Sequence, residues 1–111
     1  VMAKQKPFRT QIELVQTYEK HQGFVHTATS DDAEDILTIT GMEEGNKISL
    51  YVDLNDVYIE FDGDAQSGGS SMMIPVNTGY FDEGIYITER ISMRNTTPGK
   101  NSRVRGILWG R

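Results

Sequence analysis

The sequence predicts an all-β protein: a single antiparallel β-sandwich or barrel-like domain, jelly-roll-like, of about seven or eight short strands. Three observations lead there. Apolar residues recur at every second position, as with Val57, Ile59 and Phe61 against Tyr58, Glu60 and Asp62, and a period of two marks a half-buried strand. Turn-forming clusters of Gly, Pro, Asn and Asp interrupt the chain every ~8–14 residues, the spacing of sandwiches and barrels. No segment longer than about ten residues carries a helical period, and the βα alternation of a parallel sheet is missing. At 111 residues with 37% hydrophobic content, the chain suits one domain with one modest core.

The elements follow in order. Residues 1–7, with Lys4, Lys6 and Pro7, read as a flexible polar leader, and residues 8–111 as the single β domain. Residues 8–18 read as a first strand, with Ile12 and Leu14 flanking Glu13. A second β run covers 24–29 after Gly23. The acidic cluster from Asp31 to Asp35 reads as a solvated turn, or as the first turn of a short helix capped by Ser30. Residues 36–40 form a β-branched strand, and Gly41 and Gly45 bound a loop. Ile48, Leu50 and Val52 place one face of the next strand, and Val57, Ile59 and Phe61 one face of the strand after it. Residues 63–71 are rich in Gly and Ser and read as a flexible loop. Residues 72–76 read as a short edge strand, because Pro75 donates no ladder bond. Residues 77–84 read as a loop holding Tyr80 and Phe81. A long strand is expected over 85–94, interrupted at Glu89, where a bulge or strand end is expected. Pro98-Gly99 centres a turn, and 103–109 form the last strand.

Composition excludes several classes. There is no Cys, so disulfides, thiol nucleophiles and Cys-based zinc sites are out. A net charge of −5 argues against a general nucleic-acid coat, which needs a basic excess. No apolar run approaches the ~20 residues of a membrane helix, and no secretory h-region opens the chain.

The charge is divided along the chain. Residues 1–84 carry five basic and fifteen acidic groups, a net of −10, whereas residues 85–111 carry six basic groups against Glu89 alone, a net of +5. Two readings are open. Either the basic end neutralises acidic strands within the fold, or it docks on the acidic face of a neighbour.

Each candidate site competes with a plainer role. Asp62, Gly63 and Asp64, with Asp82 or Glu83, have the residue types for a Ca²⁺ loop, but the EF-hand spacing is missing, so solvated turn carboxylates are the better reading. Asp53, Asn55 and Asp56 read the same way. His21 and His26 match no metal-ligand spacing, and no nucleophile-elbow pattern accompanies them. The Gly-rich loop lacks the Gly-Lys-Ser/Thr ending of a phosphate loop. No catalytic constellation emerges, so the expectation is no enzyme, no cofactor and no metal.

The C-terminal arginines carry the most information. If the last two expected strands pair as a hairpin about Pro98-Gly99, then Arg90, Arg94, Arg103 and Arg105 share one polar face. With Trp109 and Arg111 they make the expected partner interface, since Arg and Trp are enriched at binding hot spots. The alternative is a solvated arginine ladder opposite Glu60 and similar residues.

Residues 91–96, Pro98-Gly99 and the closing residues 103–111 resemble the ends of small virion structural proteins of tailed bacteriophages, over about the last third of the chain. The resemblance implies an all-β accessory protein of the particle: a capsid decoration (cement) protein, or a head–tail or tail component. It implies a homo-oligomer, taken as a trimer, made in the host cytoplasm and incorporated in the virion. Its partners would be capsid or other virion protein, with no nucleic acid and no membrane. The alternative from another class is a small carbohydrate-binding β-sandwich module, in which Tyr51, Tyr58, Tyr80, Tyr86 or Trp109 stacks on sugar. Outward aromatics gathered on one sheet face would favour that alternative.

Overall fold

A computed structural model describes residues 19–67, 69 and 71–111. The leader, the strand expected at 8–18, and Gly68 and Ser70 of the Gly-rich loop lie outside the described residues. Eight strands follow in order: β1 (Lys20–Thr27), β2 (Glu34–Thr38), β3 (Gly45–Asp53), β4 (Val57–Phe61), β5 (Met72–Ile74), β6 (Thr78–Asp82), β7 (Arg90–Asn95) and β8 (Arg103–Gly110). They form two four-stranded antiparallel sheets, sheet A in the order β1-β8-β3-β6 and sheet B in the order β2-β7-β4-β5. This is the jelly-roll order, an eight-stranded double Greek key.

Alternation decides which side of each strand meets the other sheet. Ile48, Leu50 and Val52 of β3, Val104 and Leu108 of β8, Val57 and Ile59 of β4 and Ile91 and Met93 of β7 meet between the sheets at 3% exposure or less. Each such side chain contributes about 1.5–3 kcal/mol by leaving water. A register shift between Asp35 and Leu37 lets β2 bury both Ile36 and Leu37, which strict alternation would forbid. Gly106 and Gly110 let β8 pass close to its neighbours. A methyl group at Gly106 would run into the Ser49 carbonyl oxygen, and one at Gly110 into that of Glu44.

Three expectations need correction. The stretch 77–84 contains a strand, β6, because Tyr80 packs on the core and the Tyr80 hydroxyl donates to Asp82 Oδ2 at 2.7 Å. The long strand expected over 85–94 does break at Glu89, as its sequence suggested, but only its second part is a strand, β7, which begins at Arg90. Before it, Ile87 is fully buried and makes a two-way backbone bridge with Gly45. The Asp62 carboxylate holds this break in place, accepting from the N–H groups of Thr88, Glu89 and Arg90. Third, β7 and β8 do not form a hairpin: they lie in different sheets. The Pro98-Gly99 turn carries the chain across the end of the sandwich, fixed there by buried Asn95 and Ser102. Asn95 Nδ2 donates to Ser30 O and Asn101 Oδ1, Asn95 Oδ1 accepts from Ser102 N, and the Ser102 hydroxyl donates to Asn55 O. These bonds satisfy polar groups that burial would otherwise penalise by about 1–3 kcal/mol each.

Candidate functional site

With β7 and β8 in separate sheets, the six residues of the expected interface divide. Arg90 and Arg94 lie in sheet B, whereas Arg103, Arg105 and Trp109 lie in sheet A, with Arg111 just beyond it. Arg90 Nη1 donates to Asp35 Oδ1 and Asp64 Oδ1, both at 2.7 Å. These two carboxylates raise the guanidinium pKa above its already high ordinary value. Arg94 sits opposite Tyr58. Arg103 binds Asp53 through two bonds of 2.9 and 2.8 Å, and Arg105 Nη2 joins the same carboxylate at 2.9 Å. The Arg103 bonds, then Arg105, hold the Asp53 carboxyl below its ordinary value. Arg111 Nη2 reaches Glu44 Oε1 at 3.2 Å. Four of the six basic groups in residues 85–111 therefore meet acids of the same chain, and much of the charge division is answered inside the fold.

The candidate metal loops are likewise occupied internally. Asp62 binds backbone N–H groups, Asp64 binds Arg90, and Asp82 accepts from Tyr80 and from Gly84 N. Asp56 Oδ1 accepts from Val76 N, and Asn55 Nδ2 donates to Asn101 O. The Gly-rich loop starts pinned to sheet B: Ser92 Oγ donates to Gly63 O and accepts from Ala65 N, leaving Ala65 fully buried.

His26 and Glu34 form a further internal site. His26 Nε2 lies 2.7 Å from Glu34 Oε1, and the second carboxylate oxygen accepts from the N–H and hydroxyl of both Thr29 and Ser30. Burial pushes this carboxyl up. The bonds from His26, Ser30 and Thr29 outweigh it and hold the pKa at about 2. The group ties β1 of one sheet to β2 of the other.

Among the described residues, a group of exposed apolar side chains lies on the outer face of sheet A. Across it Trp109 stands between His21 and Lys47, Ile107 between Gly23 and Ser49, Arg105 between Val25 and Tyr51, and Arg103 between Thr27 and Asp53. Strand β6 adds Phe81 beside Ser49, and Gly79 beside Tyr51. Val25 is 66% exposed, Phe81 57%, Tyr51 42% and Ile107 37%, four large apolar side chains on one face. Gly23 and Gly79 leave shallow depressions beside Ile107 and Tyr51. The Lys47 ammonium bridges two rings, 4.9 Å from the centre of Trp109 and 5.5 Å from that of Phe81, at cation–π distance. The result is an apolar, aromatic surface with an Arg–Asp cluster at one end and a Lys between rings at the other.

Sequence reasoning found Tyr51 and Trp109 but missed Val25, Phe81 and Ile107 as surface groups. The signal for two of them was present. Val25 lies between inward Phe24 and His26, and Ile107 is next to inward Leu108, so alternation sends both outward. Phe81 was hidden by the loop-like composition of β6.

No protein-family model and no curated protein matches the chain. Among solved structures, the chain is similar to one described as the crystal structure of FeII HppE, at TM-score 0.50 and 10% identity, covering 79% of this chain and 42% of that one. This chain thus spans less than half the length of that protein, and at this identity the likeness is one of fold. The iron belongs to that protein. Among the residues described here no three His, Cys, Asp or Glu side chains gather in a group able to hold a metal ion, so they offer no ligand set for it. The likeness accords with the architecture built up above, a two-sheet antiparallel β-sandwich.

Proposed function

We propose that this chain is a non-catalytic structural protein of a tailed-phage particle, a capsid-decorating (cement) subunit that binds the shell as an oligomer. In this reading the outer face of sheet A is a surface through which it meets other protein. The observation that carries the reading is the grouping of Val25, Ile107, Phe81 and Tyr51, all exposed, around Trp109 and Arg105. Isolated exposed apolar residues are ordinary, but a contiguous group is a contact surface, and Trp, Tyr and Arg are the residues that dominate binding energy. The resemblance of the C-terminal third to virion structural proteins supplies the class of partner. A jelly roll serves capsid proteins, lectins and enzymes alike, so the fold decides nothing here.

The test is co-sedimentation of the purified protein with assembled capsids. Stoichiometric binding is expected, falling at least tenfold in a Val25→Asp, Ile107→Asp variant. Failure to sediment with any form of the particle would overturn the reading.

One observation favours a second reading. Tyr51, Phe81 and Trp109 share this face, as a carbohydrate-binding module would require. The aliphatic Val25 and Ile107 offer a sugar no hydrogen bond, and the two rings nearest Lys47 already hold its ammonium, so protein contact is preferred. Retardation in polysaccharide-containing native gels, abolished by Trp109→Ala, would reverse that preference.

A further inference from the structure

Glycine inside a strand weakens it, and it marks either a tight backbone fit or a place where a ligand approaches. Both kinds occur in sheet A. A Cβ at Gly45, Gly106 or Gly110 would collide with Leu108, the Ser49 carbonyl or the Glu44 carbonyl, so the fold itself requires those glycines. At Gly23 and Gly79 the nearest atoms to such a Cβ are the carbonyl oxygens of Gly106 and Leu50, at 3.8 and 3.5 Å, which is ordinary contact. Neither backbone has a positive φ. The sheet has room for a larger residue at both positions, and what glycine provides there is space on the outer face.

The depression at Gly23 and the one at Ser49 and Gly79 share Arg105 and Ile107 as a common wall. They lie on β1 and on β3–β6, with β8 between them, so two to three strand spacings, ~10–14 Å, separate them. Side chains i and i+4 on one face of an extended segment are ~13 Å apart. A segment crossing the strands can therefore fill both depressions and hold residue i+2 over β8, beside Arg105. Charge says what that residue is. Within the four strands this face carries Lys47, Arg103 and Arg105 against Asp53, a net of +2, while residues 19–111 together sum to −7. Arg103 gives Asp53 two bonds, whereas Arg105 gives it one, and the Arg105 side chain stays 53% exposed. Pairing this face with itself in a second copy would set like charges together. Three cations on an acidic domain are too few to track a nucleic-acid backbone.

We propose that the outer face of sheet A receives an extended, acidic segment of a different protein: a carboxylate at Arg105, flanked two residues away on each side by apolar side chains seated over Gly23 and Gly79. Arg105 supplies the charge that selects the segment, and the two glycines supply the room for it. The inference rests on the reading of that face as a protein-contact surface and names the chemistry of what it contacts.

The probe is a synthetic peptide, acetyl-Ser-Leu-Ser-Glu-Ser-Leu-Ser-amide, titrated into the full chain and followed by the fluorescence of Trp109, which borders the Gly79 depression. A saturable change is expected. A second peptide with Gln in place of Glu should bind the unsubstituted protein roughly fivefold more weakly, yet the two peptides should bind the Arg105→Gln variant equally, because the difference belongs to the pair. Arg103 keeps both its bonds to Asp53 in that variant. Gly23→Val fills one depression and should weaken the Glu peptide at least tenfold with the melting temperature held; should it fail to fold, Gly79→Val fills the other and reads the same loss. No saturable change, a preference for Glu that survives Arg105→Gln, or full affinity in the filled variants would each overturn the proposal. Self-association of the chain that Arg105→Gln disperses would give the face to a second copy and overturn it too. No capsid enters the titration, so the two readings fail separately: peptide binding without capsid binding counts against the decorating role alone, and capsid binding without peptide binding against the acidic segment alone.

Discussion

Lys47 and Trp109 are direct partners across the β3–β8 ladder, with the Lys47 ammonium 4.9 Å from the centre of the Trp109 ring and 5.5 Å from that of Phe81 on the next strand. One cation thus clamps rings from two strands that do not pair with each other. Replacing it by Lys47→Ala should cost about 0.5–1 kcal/mol of stability. Urea unfolding followed by the fluorescence of the only tryptophan in the chain measures this. A midpoint unchanged from that of the unsubstituted protein would show that the clamp contributes nothing.

Acid should loosen the domain through Glu34. The folded carboxyl titrates at about 2, against an ordinary value of 4.5. The unfolded form therefore takes up its proton first, and the stabilisation is complete above about pH 5.5 and fades as pH falls toward 2. Asp62 shifts in the same direction: burial opposes the shift, but the N–H groups of Thr88, Glu89 and Arg90 prevail. Glu34→Gln should lower stability by about 2 kcal/mol at pH 7 and flatten the decline below pH 5. Thermal melts from pH 7 to pH 3 on both proteins check this. Parallel pH profiles would remove Glu34 as the cause.

Gly106 sits where β8 passes between Phe24 and Leu50. Its missing side chain makes room for the Ser49 carbonyl. Backbone cannot swing aside as a side chain can, so Gly106→Ala should destabilise by about 1–3 kcal/mol. Gly41→Ala is the contrasting control, since nothing lies within 4 Å of a Cβ there but its φ is +78°. Its loss should be the smaller of the two, about 1 kcal/mol.

Leu54 holds a left-handed backbone, φ 75°, in the β3–β4 turn while its side chain is 53% exposed. A branched apolar residue gains little there and bears the steric cost of that conformation. Leu54→Asn, a residue that tolerates it, should raise stability by about 0.5–1 kcal/mol. A lower midpoint in urea would mean that Leu54 makes packing contacts worth more than the strain.

The parts of the fold that were legible in the sequence are those where one strand face is uniformly apolar. Strand β4 stands where alternation puts it, residues 57–61, because Val57, Ile59 and Phe61 can serve only one side. Strand β6 was illegible because Gly79 and Asp82 dilute its pattern, and its stability comes from pairing with β3. The Pro98-Gly99 turn misled for a different reason. A tight turn between two strands is locally the same whether it closes a hairpin or crosses a sandwich. Here the choice was made by Asn95 and Ser102, whose partners, Ser30 and Asn55, are distant in sequence. The candidate face suffered in the same way. Its residues come from β1, β3, β6 and β8, and only the strand order makes them neighbours.

Pairing of Lys20 with Gly110 means that β1 starts at the corner where β8 ends. A few glycines would suffice to join that start to that end. The roll could then be opened at another surface loop, such as the one between β4 and β5, to give a circular permutant with the same sheets. Tandem copies threaded through this corner would hang like beads from a common line, each with its far end, where the chain crosses between the sheets at Pro98-Gly99, turned away from the thread.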